Sequence, residues 1–290
     1  MPEPVEITPN LIDVKSLFAA KNPRLLKIIP AFIFSILKKI IHQDKINGFI
    51  YKHRDKSGLA FVSAMLREFG VKMEVMKSPT AGTDSDSPAE IIPARGRFII
   101  VSNHPLGGLD GLALLHIAGQ SRPEVVFPVN DLLMFVPGLR PLFIPINKHG
   151  KNTENVEIIH RTFASDKTIL YFPAGLVSRK QKGGKILDLD WKKTFVTQAR
   201  RYQRNIIPVY ISGRNTNFFY NVANLRKKLG IKANIEMMLL PHEMMRQNNK
   251  TLRLVFGEPV PWTSFDRSHT DMEWAQIIKE KVYRLGEPLT

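Results

Sequence analysis

Short continuous apolar runs alternate along this chain with stretches whose apolar residues recur every three or four positions. The runs predict buried strands at Phe98–Val101, Glu124–Val129, Leu142–Ile146, Thr168–Phe172 and Ile206–Ile211, and near the end at Leu252–Phe256. The periodic stretches predict helices at Asp110–Ala118, Thr153–Ala164, Trp191–Tyr202, Phe218–Leu229 and Asp271–Leu285. Strands that are apolar throughout are buried on both faces, and their alternation with helices points to a parallel or mixed sheet covered by helices. The expected fold is α/β: a mixed, largely parallel sheet flanked by helices. In such sheets chemistry gathers at the carboxyl ends of strands.

Upstream the pattern changes. Residues 1–75 read as an N-terminal helical segment, and 76–290 as the main domain. Lys56–Phe69 carries Leu59, Val62, Met65 and Leu66 at helical spacing until Gly70 stops it, and Val71–Val75 suits a short strand. Lys77–Arg95, rich in Ser, Pro, Asp, Gly and Thr, reads as an exposed loop. The longest apolar block, Ile28–Leu37, lies between Arg24 and Lys27 on one side and Lys38 and Lys39 on the other. Spanning a bilayer takes about 20 apolar residues, so the block is too short. Its basic flanks suit a helix lying in a membrane interface, with contact through residues 24–41. The alternative is a helix packed on the body of the protein.

Composition narrows the classes. At 290 residues with 43% apolar side chains, the chain can bury a substantial core. It has no cysteine, which excludes disulfides, thiolate metal sites and cysteine nucleophiles and fits a reducing compartment. A net charge of +16 attracts polyanions: nucleic acid, anionic lipid or an acidic carrier protein. The N-terminus lacks the basic region and apolar core of a signal peptide, so a cytoplasmic location, peripheral on the inner membrane, is expected.

The candidate chemistry begins where Phe98-Ile99-Ile100-Val101 runs into Ser102-Asn103-His104-Pro105-Leu106-Gly107-Gly108-Leu109-Asp110-Gly111. A histidine at a strand's carboxyl end and an aspartate at the next helix's start suit a general base and its orienting partner. Glycines 107 and 108 let the backbone turn tightly enough for the two to meet. The plainer alternative is that Asp110 only caps the helix. A second strand end, Ile169-Leu170-Tyr171, leads into Phe172-Pro173-Ala174-Gly175-Leu176-Val177-Ser178-Arg179, whose turn exposes backbone amides able to face an oxyanion.

Four ordered blocks together resemble the glycerolipid acyltransferase family of lysophosphatidate-acyltransferase type. They are Asn103-His104…Asp110, Gly138…Phe143-Ile144-Pro145-Ile146, Phe172-Pro173-Ala174-Gly175 and Ile207-Pro208-Val209, and the resemblance covers about residues 90–260. There are departures. Five residues separate His104 from Asp110 where the family has four. Ala174 stands at the family's Glu, and Val177 and Ile146 stand at its arginines. Neither Val nor Ile replaces a guanidinium on phosphate, although Arg140, Lys148 and Arg179 lie near. The variant blocks, with Ser212-Gly213-Arg214-Asn215-Thr216, resemble a hemolysin-like subgroup of O-acyltransferases that make ornithine or glycine aminolipids.

That resemblance implies transfer of an acyl chain from acyl carrier protein or acyl-CoA to a hydroxyl of a lyso-lipid acceptor. His104 is then the base and Asp110 its partner. The substrate or oxyanion contacts are Asn103, Gly107, Gly108, Pro173, Ala174, Gly175, Ser178, Arg179, Lys148, Arg214 and Asn215. No cofactor or metal is called for, since the remaining histidines lack metal-ligand spacing. The basic run Arg179–Lys185 could receive an acidic carrier, or be a solvated face. The runner-up activity is acylation of 1-acylglycerol 3-phosphate to phosphatidate. Rivals of other classes are a nucleic-acid-binding protein and a catalytically silent membrane-surface protein. The basic clusters lack interleaved aromatics and no nucleic-acid-binding signature is present, so a gel-shift titration at low salt is expected to show no complex.

Overall fold

A computed structural model describes residues 12–16, 30–78, 91–129, 134, 136–145, 153–231 and 234–287. Its central sheet has the order β1 (Lys72–Lys77), β9 (Thr251–Phe256), β8 (Asn205–Ile211), β2 (Phe98–Ser102), β5 (Ile169–Tyr171). Neighbours run parallel except β8 and β9, so the sheet is mixed and largely parallel, as the unbroken apolar runs predict. Strand β2 is buried along its whole length.

The two-residue period of β2 divides the core. Phe98 and Ile100 face one layer, with Phe61 and Val62 of α3 (Gly58–Glu68) and Leu112 and Leu115 of α4 (Gly108–Ser121). Ile99 and Val101 face the other, with Phe195 of α6 (Thr194–Arg201) and Ile278 and Val282 of α9 (Asp271–Gly286). Burying each such side chain contributes roughly 1.5–3 kcal/mol, so β2 is firmly held from both faces. Close approach fixes α3 in place: a Cβ on Gly138 would lie 2.5 Å from the Phe61 ring.

The rear, amino-terminal end of β2 is held by two buried arginines. Arg204 is fully buried, and its guanidinium donates to the carbonyls of Phe163 (2.7 Å), Lys167 (2.7 Å), Thr162 (3.2 Å), Phe98 (3.3 Å) and Ser165. Burial lowers its pKa to about 10. Arg122 donates to the carbonyls of Pro93, Gly96 and Asp166 and pairs with Glu124.

Several expectations need correction. The strands at 124–129 and 142–146 shrink to β3 (Phe127–Val129) and β4 (Phe143–Pro145), which pair with each other outside the main sheet. Pro128 and Pro145 each remove a ladder donor, which limits both. Helix α4 starts at Gly108, two residues before Asp110. Ile91 and Ile92, inside the expected exposed loop, are buried in the first core layer, while residues 79–90 lie outside the described residues. The boundary at 75/76 falls within β1, and α2 (Gln43–Lys52) puts Phe49 and Ile50 into the same core as the sheet. Among the described helices of this segment, α1 (Ala31–Ile40) buries no residue.

Replacing Arg204 with Met roughly keeps the volume but removes the guanidinium donors from five backbone carbonyls, of which that of Thr162 keeps the Ser165 hydroxyl and amide. A loss of at least about 3 kcal/mol is expected, measured by denaturant unfolding. A loss within experimental error would mean that water satisfies those carbonyls.

Candidate functional site

The site is built on the last residues of β2. Ser102 ends the strand, and Asn103 turns its amide back onto the neighbouring strand. Asn103 Nδ2 donates to the carbonyl of Ile211 at 2.8 Å, and the Ile211 amide donates to Asn103 Oδ1 at 2.7 Å. Asn103 therefore pins β2 to β8 and is not placed to bind substrate. Held this way, His104 projects beyond the sheet's carboxyl edge.

His104 Nδ1 lies 2.9 Å from Oδ2 of Asp110, so the five-residue separation still allows pairing. The same oxygen accepts from the amides of Leu106 (2.8 Å) and Gly107 (2.9 Å). Asp110 is the third residue of α4 and reaches back to cap it, the carboxylate half of a capping box. Cap and histidine partner are thus one group, and the two sequence alternatives both hold. Gly107 has φ +89°, and a Cβ there would press on Leu240, so this turn requires glycine. Gly108 opens α4 with open space around its Cβ position.

Asp110 is fully buried, and Oδ1 has no hydrogen-bond partner among the described residues. Burial raises its pKa above the ordinary carboxylate range, against the pull of His104 and the two amides. The imidazole stacks on Phe172, with centroids 4.2 Å apart and planes 22° apart. That contact sets the end of β5 beside His104. The other ring nitrogen, Nε2, has no hydrogen bond to any described residue.

A second carboxylate, Asp188, holds the backbone of the site. Its Oδ1 accepts from the His104 amide at 3.2 Å and from the Ser178 hydroxyl at 2.6 Å, and its Oδ2 accepts from the Trp191 indole at 2.9 Å. The Ser178 amide donates to the His104 carbonyl at 2.8 Å. Asp188's own amide donates to the Tyr283 hydroxyl, whose pKa is pushed up by burial and by the nearby carboxylate. Sequence reasoning passed over Asp188. The available signal was a carboxylate amid apolar residues in Ile186-Leu187-Asp188-Leu189.

The remaining expected contacts separate into groups. Ser178 is buried and serves Asp188. The Gly175 amide donates to the Phe172 carbonyl at 3.0 Å, closing the turn at φ +67°, so it is committed and not an oxyanion donor. The amides of Ala174 and Leu176 in that turn make no hydrogen bond to described residues. Pro173 accepts from the Lys192 amide through its carbonyl. Arg179 points inward to Glu236 at 2.7 Å, and Arg226 pairs with the same buried carboxylate at 2.8 Å, which removes Arg179 as a substrate contact. Asn215 is buried, with Nδ2 on the Pro105 carbonyl at 3.2 Å and Oδ1 unpartnered. Arg214 is exposed and bonds Asn217, while Arg140 bonds the Met134 carbonyl. Lys148 lies outside the described residues. Past Arg179 the basic run forms a hairpin, β6 (Arg179–Lys180) with β7 (Ile186–Leu187). Lys180 and Lys182 there line an open cavity of about 540 Å³ with Gln181, Asn224 and Lys227. Among the described residues no cluster of His, Asp and Glu is placed to hold a metal ion. The arrangement offers a half-buried, oriented imidazole whose Nε2 has no hydrogen bond to a described residue, suited to removing a proton from a hydroxyl.

Compared with known proteins, the chain matches the protein family described as Acyltransferase over residues 16–290. It is 44% identical over 277 residues to a lyso-glycine lipid O-acyltransferase of Bacteroides thetaiotaomicron, covering 95% of this chain and 97% of that protein. A lyso-glycine lipid O-acyltransferase of Phocaeicola vulgatus is also 44% identical over 277 residues, covering 95% of each. The crystal structure of the 1-acyl-sn-glycerophosphate acyltransferase PlsC from Thermotoga maritima aligns over 86% of this chain and 95% of that one, with 15% identity and a TM-score of 0.45.

The raised pKa of Asp110 has a stability consequence. Below the pKa of the unfolded chain both states are protonated and no cost arises; as pH rises from there to the raised pKa of the folded state only the unfolded chain ionises, so stability falls through that window and stays lower above it. Asp110→Asn keeps an oxygen for the two amides. It is expected to be at least as stable as the parent at about pH 8, with the difference shrinking toward about pH 4, measured by denaturant unfolding. A stability loss that grows with pH would mean that the ionised carboxylate is net stabilising.

Proposed function

Because the chain belongs to the acyltransferase family, which its match over residues 16–290 establishes, we propose that it moves a fatty acyl chain from an acyl thioester to a hydroxyl of a lyso-aminolipid of the glycine-lipid type. The observation that carries this reading is the 2.9 Å contact between His104 and buried Asp110 at the sheet's carboxyl edge. Nε2 of His104 takes the acceptor's hydroxyl proton as that oxygen attacks the thioester carbonyl. Asp110 holds the ring through Nδ1 and offsets the charge of the imidazolium that forms. Collapse of the tetrahedral intermediate expels the thiolate, which recovers the proton from His104. The amides of Ala174 and Leu176 are the donors assigned to the oxyanion, in place of Gly175.

The donor in this reading is acyl carrier protein or acyl-CoA, and the basic cavity between the hairpin and residues 224–227 supports an anionic one. The location is the cytoplasm, peripheral on the inner membrane. Helix α1 supports this placement: Phe32 and Ile36 are exposed, and Lys38 and Lys39 occupy its last turn. Among the described residues no helix is long and apolar enough to cross a membrane. In domain terms α1 is the membrane-facing part, and the hemolysin-like grouping follows from the variant blocks around His104 and Phe172.

The test is transfer from a radiolabelled acyl thioester to lyso-glycine lipid, with 1-acylglycerol 3-phosphate as the competing acceptor. Product is expected with the aminolipid. His104→Ala is expected to lose at least about 100-fold in rate while keeping its fold, and Asp110→Asn to lose a similar factor. Wild-type rates in His104→Ala would remove His104 from the chemistry, and preference for the glycerophosphate would overturn the acceptor.

A further inference from the structure

Helix α7 (Asn217–Lys228) has two apolar faces where a surface helix ordinarily has one. Phe219, Tyr220 and Ala223 are buried against the third core cluster, with Val177 and Leu239. On a different side lie Phe218, Val222, Leu225 and Leu229. Their spacing of four, three and four residues puts them within about 60° of the helix circumference. Phe218 is 60% exposed, Leu225 57% and Leu229 64%, and exposed Ile231 and Ile235 follow directly. Val222 is partly buried against the third cluster, while Phe218, Leu225 and Leu229 have no covering partner among the described residues. The core already has its own face of the helix, so burial in the folded chain does not account for the second one.

Three observations identify its occupant. First, a cation borders the stripe: at 3.6 residues per turn Lys228 lies about 60° round the helix from Leu225, whereas Lys227 and the cavity it shares with Lys180, Lys182 and Asn224 lie on the far side. Apolar residues with a basic residue on their margin match an anionic bilayer surface. Second, a symmetric dimer that pairs the two helices in parallel through the stripe would set Lys228 near its own copy, a like-charge arrangement that opposes that interface. Third, the stripe starts at the site. Phe218 is three residues beyond Asn215, whose amide holds the carbonyl of Pro105, the residue after His104. Ile40, at the end of α1, packs on the same third cluster that seats α7. The two exposed apolar helices therefore meet at one place on the molecule.

We infer that the Phe218–Val222–Leu225–Leu229 face of α7 docks on an anionic lipid surface as a second contact beside α1, bringing the bilayer to the rim of the His104 site. The inference rests on the lipid acceptor of the proposed function and adds the surface through which that acceptor is reached. An acceptor lying in the headgroup region then meets His104 without leaving the membrane, which replaces a three-dimensional search with a lateral one.

The chain has no cysteine, so Leu225→Cys gives a unique labelling site in the full-length protein. With an environment-sensitive fluorophore there, phosphatidylglycerol vesicles are expected to shift emission to the blue and raise it at least about twofold, with a weaker response to pure phosphatidylcholine. The same label at Met272, on α9 behind the other face of the sheet, is expected to stay unchanged. A double variant, Leu225→Asp with Leu229→Asp, is expected to lose at least about tenfold in vesicle co-sedimentation. Its transfer to detergent-dispersed acceptor should stay within about twofold of the parent. An unresponsive label overturns the inference. So does a label that responds to protein concentration, which indicates a second copy, or one that responds to acidic carrier protein alone. Failure of turnover with every acceptor while the label still reports the bilayer would defeat the proposed function and leave the docking surface standing.

Discussion

One carboxylate oxygen, Oδ2 of Asp110, joins the fold to the chemistry. It takes two backbone amides that start α4 and the ring nitrogen of His104. Water cannot substitute for it in a fully buried position, so the helix entry, the turn and the imidazole orientation stand or fall together. Because burial disfavours the ionised form, the protein holds a destabilised group where its charge is useful. Sites of this kind commonly give up stability for function.

The rest of the scaffold serves to keep that oxygen and that ring in register. Asn103 ties β2 to β8 through paired amide bonds, Asp188 clamps the His104 amide, and Phe172 supports the ring face. None of these contacts needs to touch substrate. At the opposite end of the same strand, Arg204 and Arg122 gather carbonyls from several loops. Strand β2 is thereby fixed at both ends, and the freedom left in the region lies outside the sheet.

The fold was legible because its signals are local. Short apolar runs rich in β-branched residues, such as Ile99-Ile100-Val101, read as buried strands, and the last helix, Asp271–Gly286, shows its period in the sequence. His104 and Asp110 were legible for the same reason, being six positions apart on one turn. What was not legible is held by long-range pairing. Nothing near Asn103 announces Ile211, and nothing near Arg179 announces Glu236, so both side chains were assigned to substrate when they bind protein. Asp188 was missed because its partners lie at positions 104, 178 and 191. The five-residue gap also shows that the His–Asp motif is a distance and not a count: a positive-φ glycine absorbs the additional residue.

Arg204 carries a consequence for how the chain is made. Its carbonyl partners all belong to residues between 98 and 167, which leave the ribosome earlier. Until residue 204 arrives those carbonyls lack the guanidinium, so Arg122 alone gathers the rear end of β2 during synthesis. The half of the sheet that carries His104 must wait, loosely assembled, for β8 to be delivered. A chain interrupted before that strand would hold its reactive histidine on an unfinished sheet.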